Sequence, residues 1–265
     1  MITTIRYLLP GNEKPVYYAS RGGADAALHI GAEFENREVT VHDARLMQPP
    51  ASLDGEGFTL VQHTSQADDF YNLEPDRETY EAEITERVLA ATGGTEALVF
   101  DHTLRSDSRE VRGRRLTREP AAVIHNDYTD ASAVKRLRQL LPAQEAGARL
   151  ERRFAIVNVW RSIAGPILSS PLALCDASTI DPGDLVASER RAEDRIGELE
   201  LVRWNPEHRW YYYPEMSINE ALLIKTFDSA GDGRARCSIH TAFHNPLAPP
   251  DAPARESMES RLLVF

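Results

Sequence analysis

His125 and Asp127 stand two residues apart in AAVIHNDYTDASAV, an imidazole and a carboxylate at the end of an apolar run. With 8 histidines and 41 acids in 265 residues, about one His-x-acid pair is expected by chance, and His125 supplies the only one. The pair therefore gains meaning only from a third ligand. His240, in CSIHTAF, is the candidate. In an extended segment Ser238 and His240 share one face and Cys237 and Ile239 the other, so the histidine lies on the less apolar side. Two histidines and one carboxylate on one side of a metal leave the opposite positions open for oxygen and a co-substrate, the layout of non-haem iron(II) sites. A regular strand holds residues i and i+2 apart, but at a strand end entering a turn they can converge. Tyr128-Thr129-Asp130 supplies that turn, with Asp130 as the expected cap of a following helix.

Further along, a proline-rich loop, NPLAPPDAPA, runs up to Arg255, and Ser257 follows two residues later. A guanidinium fork beside a hydroxyl is a good receptor for a carboxylate. Arg255 and Ser257 are therefore candidates for binding a co-substrate acid, with Arg261 the alternative arginine. Tyr212, in RWYYYPEM, is a candidate hydrogen-bond partner of the same co-substrate. His102 in FDHTLR, and Asn158 and Arg161 in NVWRS, are candidates for lining a substrate pocket. The plainer readings are a satisfied core histidine and a structural ion pair. Lys225 and Asp228 read as structural. His244 lies four residues after His240, a spacing that suits zinc on a helix, but Pro246 argues against a helix there.

The elements that must position these residues are mostly short strands. After the helical segment from Asp130 to Leu141 come FAIVNVW, LALCDAS, ELELVRW, RWYYYPEM, LLIKTFD, CSIHTAF and SRLLVF, β-branched or aromatic runs punctuated by Pro, Gly, Asn and Asp. Together with VIHNDYT they are what a double-sheet jelly roll requires. Most of the gaps are too short or too turn-rich for a βαβ chain. The expected fold is mainly β, a double-stranded β-helix (jelly roll) core with flanking helices, in one domain over 1–265. Residues 121–265 form the jelly roll, and residues 1–120 pack strands and a helix on it. Pro75 to Thr92 reads as that helix, stopped by Gly93-Gly94. Ser106 to Arg118 reads as a charged, mobile loop.

Composition bounds the partners. The formal charge of −11 argues against a general nucleic-acid binder, which needs a basic face. No apolar run approaches the roughly 18 residues that span a membrane. Two cysteines make no disulfide framework, and the start MITTIRYLLPGNEKP lacks the pattern of a secretory signal, so a cytoplasmic location is expected.

The combination of His-x-Asp, a distal His and Arg-x-Ser is the layout of iron(II)/2-oxoglutarate oxygenases. NVWRSIAGPI, PLALCDAS, HRWYYYPEM, LLIKTFDS, HTAF and RESMESRLLVF resemble a family of hydroxylases and desaturases related to the cephamycin 7-α-hydroxylase component and to fungal biosynthetic oxygenases. The resemblance runs from about Val39 to the C-terminus and is strongest from Val157 onward. It implies Fe(II), 2-oxoglutarate and O2 as cofactors, a small natural product as substrate, His125, Asp127 and His240 as the metal triad, and Arg255 as the co-substrate arginine. Two rivals stand beside it: a cupin-like metalloenzyme that does not use 2-oxoglutarate, and a non-catalytic jelly-roll binding protein. The substrate and the oligomeric state are not legible.

Overall fold

The computed structural model describes residues 1–193 and 195–265. The N-terminal part contributes β1 (Ile2–Leu8), β2 (Val16–Tyr18), β3 (His29–Gly31), β4 (Phe34–Asp43), β5 (Phe58–Gln62), α1 (Arg77–Thr92), β6 (Ala97–Ser106) and α2 (Arg109–Arg115). Then follow β7 (His125–Asn126), α3 (Asp130–Leu140), α4 (Ala143–Leu150), β8 (Ala155–Ser162), β9 (Leu172–Cys175), β10 (Leu185–Arg191) and β11 (Ile196–Val202). The last elements are β12 (Trp210–Tyr212), β13 (Glu220–Asp228), β14 (His240–Ala242) and β15 (Glu256–Val264).

The strands form two sheets, in the orders β5-β13-β8-β15-β6 and β1-β4-β12-β9-β14-β7-β11-β10-β2-β3. Following the chain, β6, β8, β13 and β15 lie in the first, whereas β7, β9, β12 and β14 lie in the second. The chain thus winds back and forth between facing sheets, as a double-stranded β-helix does. The five-stranded sheet takes β5 and β6 from before residue 121, so both sides of that position supply core strands.

Strands β8 and β13 are buried along their whole length, because both of their faces are covered. On the outer face, Tyr80, Ile84 and Val88 make a helical stripe along α1 that packs on Val157, Val159, Leu262 and Val264. Gly93 ends α1 in the left-handed region at φ 68°, its N–H reaching the Leu89 carbonyl at 3.0 Å. The inner face of β15 is polar instead: Arg261 reaches Asp127 and Asp101 there, while Ser260, one residue away, meets Tyr80 under α1. Truncation at the outer stripe tests this division. Ile84→Ala should lower stability by about 2–5 kcal/mol in urea unfolding while leaving metal affinity unchanged; a lowered metal affinity in the folded variant would show that the two faces are coupled.

Two local expectations are corrected. The segment from Ser106 to Arg118 carries helix α2, capped by Ser108, whose hydroxyl accepts from the Val111 N–H at 3.2 Å. Helix α3 is capped by Thr129, not Asp130, because Thr129 and Ser132 form a reciprocal capping box. Asp130 occupies the first turn, where its charge complements the helix N-terminus.

Candidate metal centre

Strand β7 is two residues long, and Asp127 lies just past its end. That break in the extended backbone lets the carboxylate turn back toward His125, with Oδ1 3.6 Å from its Nε2. His240 pairs directly with His125 across the β14–β7 ladder, and the two rings stand 4.5 Å apart. One ligand atom from each of His125, Asp127 and His240 lies within 4.8 Å of the others. Ligands held about 2.0–2.2 Å from one ion at right angles stand about 3 Å apart, so closing on a metal needs only side-chain adjustment.

The groups behind the ligands fix how they are presented. His125 Nδ1 donates to the Val123 carbonyl at 2.9 Å and His240 Nδ1 to that of Ser238 at 3.3 Å, which leaves both Nε2 atoms as metal-facing lone pairs. Burial, and then the neighbouring His240, pushes the His125 pKa down to about 3, so the ring is neutral. Burial alone would raise the Asp127 carboxyl, but Arg261 and the two histidines hold it well below the usual carboxylate range. Asp127 Oδ2 accepts from Asn158 Nδ2 at 2.7 Å and Arg261 Nε at 3.2 Å, leaving Oδ1 toward the histidines. Two neutral imidazoles and one carboxylate are the donor set a divalent metal requires. The Asn158 Oδ1 atom beside them is buried with no hydrogen-bond partner, an acceptor that a metal-bound water or ligand could satisfy. The residues therefore fit a metal.

Asn158 thus donates to Asp127, so its amide nitrogen is engaged within the candidate site. Asn158→Ala should weaken iron(II) binding by about 10–100-fold, read by anaerobic titration, with the circular dichroism spectrum unchanged. An unaltered affinity would leave Arg261 as sufficient to orient Asp127.

Arg255 is 1% exposed, and its guanidinium lies 5.0 Å above the Trp160 ring. Its hydrogen bonds run to Ser257 Oγ at 3.1 Å and to the Ser170 carbonyl at 2.8 Å. Among the described residues no carboxylate forms an ion pair with it, and burial, followed by Arg105, pulls its pKa down to about 9. Arg261 is the opposite case, since it pairs with Asp101 at 2.5 Å, Asp127 at 3.2 Å and Glu259. An unpaired buried guanidinium awaits an anion; a triply paired one does not.

Other candidates fall elsewhere. Tyr212 packs on Phe243 at 5.7 Å, in the cluster that holds Ile239, on the sheet face away from His240. The ladder row that carries His240 runs through Leu174 to Tyr211, so Tyr211 is the tyrosine on the triad's face. His102 uses both ring nitrogens, with Ser260 at 2.8 Å and Glu81 at 3.0 Å, beneath α1. Arg161 lies on that same outer side, bonded to His63 and stacked on Phe70 at 4.6 Å. Neither reaches the triad. Sequence reasoning missed Arg105, which stands in register with Ser257 across the β15–β6 ladder. Strand alternation in ALVFDHTLRS would have placed Asp101, Thr103 and Arg105 on one face.

Comparisons with known proteins show what the chain as a whole resembles. A family model described as YDMC, Oxidoreductase/YMDC permease-like domain, matches residues 5–265. Among the described residues, no helix is long and apolar enough to cross a membrane. Hydroxylase/desaturase efuI of Hormonema carpetanum is 31% identical over 255 residues, covering 88% of this chain and 85% of the relative. Fe(II)/2-oxoglutarate-dependent dioxygenase nvfI of Aspergillus novofumigatus is 32% identical over 238 residues, covering 86% and 83%. A solved structure described as iron and alpha-ketoglutarate-dependent endoperoxidase NvfI aligns with a TM-score of 0.84 at 28% identity, over 100% of this chain and 97% of that one.

Proposed function

Because the chain belongs to the family of Fe(II)/2-oxoglutarate-dependent hydroxylases and desaturases, we propose that His125, Asp127 and His240 hold its iron and that Arg255 and Ser257 hold its 2-oxoglutarate. The protein is an iron(II)/2-oxoglutarate-dependent dioxygenase of natural-product biosynthesis, acting on a small molecule. The observation that carries the co-substrate assignment is the buried guanidinium of Arg255, which has no ion-pair partner among the described residues and stands immediately before the strand whose inward Arg261 touches Asp127.

Bound iron(II), with 2-oxoglutarate and O2, supplies the oxidising power to remove hydrogen from an unactivated C–H bond, with succinate and CO2 as co-products. The chain's own residues do the positioning. His125 and His240 present Nε2, each held by a carbonyl behind it. Asp127 stays ionised and is kept in one rotamer by Asn158 and Arg261. Arg255, with the Ser257 hydroxyl, would hold the far carboxylate of 2-oxoglutarate. Trp160 covers the guanidinium and keeps water away from that contact. Hydroxylation and desaturation share the first hydrogen removal and diverge in how the substrate lies afterwards.

A cytoplasmic location belongs to this reading, supported by the free Cys175 and Cys237. So does the absence of a nucleic-acid partner, supported by the net charge of −11. The test is oxygen uptake and succinate formation with iron(II), with and without 2-oxoglutarate. Dependence on both is expected. Uptake that needs iron alone would favour a cupin-like enzyme, and no uptake would favour a binding protein.

A further inference from the structure

A cleft of about 900 Å³ opens beside the edge strand β6. Seven arginines line it, against two acids, Glu74 and Asp101. Glu74 is matched by Arg77, and Asp101 by Arg261. Four of the arginines, Arg118, Arg136, Arg190 and Arg195, are half-buried, and among the described residues none of them has a carboxylate partner within salt-bridge distance. Arg136 lies over the Phe100 ring at 4.8 Å, and its Nε is buried without a hydrogen-bond partner. Three of the four, Arg136, Arg190 and Arg195, also line a smaller cavity whose wall includes Asp127 and Arg261. The basic cleft therefore leads to the carboxylate of the proposed metal site.

Such a cluster is unexpected on electrostatic grounds. The chain carries a net charge of −11, so acids are plentiful, yet this cleft gathers cations without them. Half-buried like charges repel and lose hydration, and among the described residues none of the four has an ion pair to offset this. The directions of the pKa shifts agree: Arg118 is lowered by burial and then by Arg105, Arg190 by burial and then by Arg261, and Arg136 by burial and then by Arg195. Each guanidinium feels another guanidinium, which is the electrostatics of a site built for an anion.

Resting on the proposed oxygenase reading, we infer that the substrate is an organic acid, its carboxylate held by Arg118, Arg136, Arg190 and Arg195. The 2-oxoglutarate arginine is a separate residue deeper in the roll, so the protein has two carboxylate receptors with different tasks. Binding at the mouth then selects which acids enter and which of their carbons faces the metal.

The probe is a panel of aromatic and alicyclic carboxylic acids of one to three rings, each matched with its uncharged primary amide. Binding is read by calorimetry on the metal-free protein. Failure of iron or 2-oxoglutarate binding, which would sink the oxygenase reading, therefore leaves this readout intact. At least one acid should bind about tenfold or more tightly than its amide, with the gap shrinking as salt rises. In Arg118→Gln/Arg190→Gln the gap should fall to less than about threefold. The melting temperature gives a second readout: Arg190→Gln should leave it unchanged or raise it, because removing an uncompensated charge relieves repulsion. A panel in which no acid outbinds its amide, a double variant that keeps the preference, or a melting temperature lowered by Arg190→Gln would each overturn the inference.

Discussion

Replacing Arg255 with methionine should weaken 2-oxoglutarate binding by roughly 10–150-fold while iron(II) binding stays within about twofold. The range follows from the loss of one charge-assisted contact, about 1.5–3 kcal/mol. Methionine keeps most of the length of the side chain and can still pack on Trp160, so the pocket keeps its shape. The variant loses the bonds to Ser257 and to the Ser170 carbonyl, both uncharged acceptors. It also loses a buried charge that has no acid partner, and that relieves the apo protein. Stability should therefore change little, which separates this variant from one at Arg261. Arg261→Met would strip Asp101, Asp127 and Glu259 of their shared partner and leave three acids in one interior. Its expected defect is in folding and in iron affinity, not in 2-oxoglutarate affinity alone. If Arg255→Met binds 2-oxoglutarate normally, the co-substrate contact lies elsewhere, and Arg105 becomes the residue to test.

His125→Ala should reduce iron(II) affinity by at least about 100-fold and abolish turnover, since loss of a ligand exceeds the 10–100-fold typical of groups behind one. The fold should survive. The ring makes one hydrogen bond, to Val123, and its neighbour His240 is held independently by Ser238. The β14–β7 pairing is made by backbone and does not need the imidazole. His125→Gln, which returns an acceptor of similar reach, should recover only part of the affinity. Normal turnover in His125→Ala would remove His125 from the metal assignment.

Much of this was legible in the sequence because the chemistry sits on scarce residue types. Histidines are few, so His125 and His240 could be picked out and the carboxylate between strand and helix followed. The late strands were legible because β-branched runs alternate with turn residues, and the helix read over 75–92 ends with α1 at Thr92. What failed was orientation. In WYYY every second residue faces the same way, and which pair faces inward depends on register with β9, a long-range fact; hence Tyr211, not Tyr212, shares the face of His240. The choice between Arg255 and Arg261 was equally blind, since alternation puts both on one side and only the acids of β6, β15 and the β7 turn, which reach Arg261, tell them apart. Helix α2 was hidden because REVRGRR has only Val111 to bury and owes its start to the Ser108 cap. The arginines of the cleft were invisible as a group: they come from the segment after α2, from α3, from β10 and from the loop beyond it, and only the fold brings them together.

The central claim is that one iron bound by His125, Asp127 and His240 is chelated by 2-oxoglutarate anchored at Arg255. Its most direct test is an anaerobic titration of metal-free protein, first with iron(II) and then with 2-oxoglutarate, following the visible absorption of the chelate. The account predicts one iron per chain, an absorption band that requires both components, and loss of that band in His125→Ala. A band that forms undiminished in His125→Ala, or 2-oxoglutarate that binds the iron-loaded protein without any band, would contradict it.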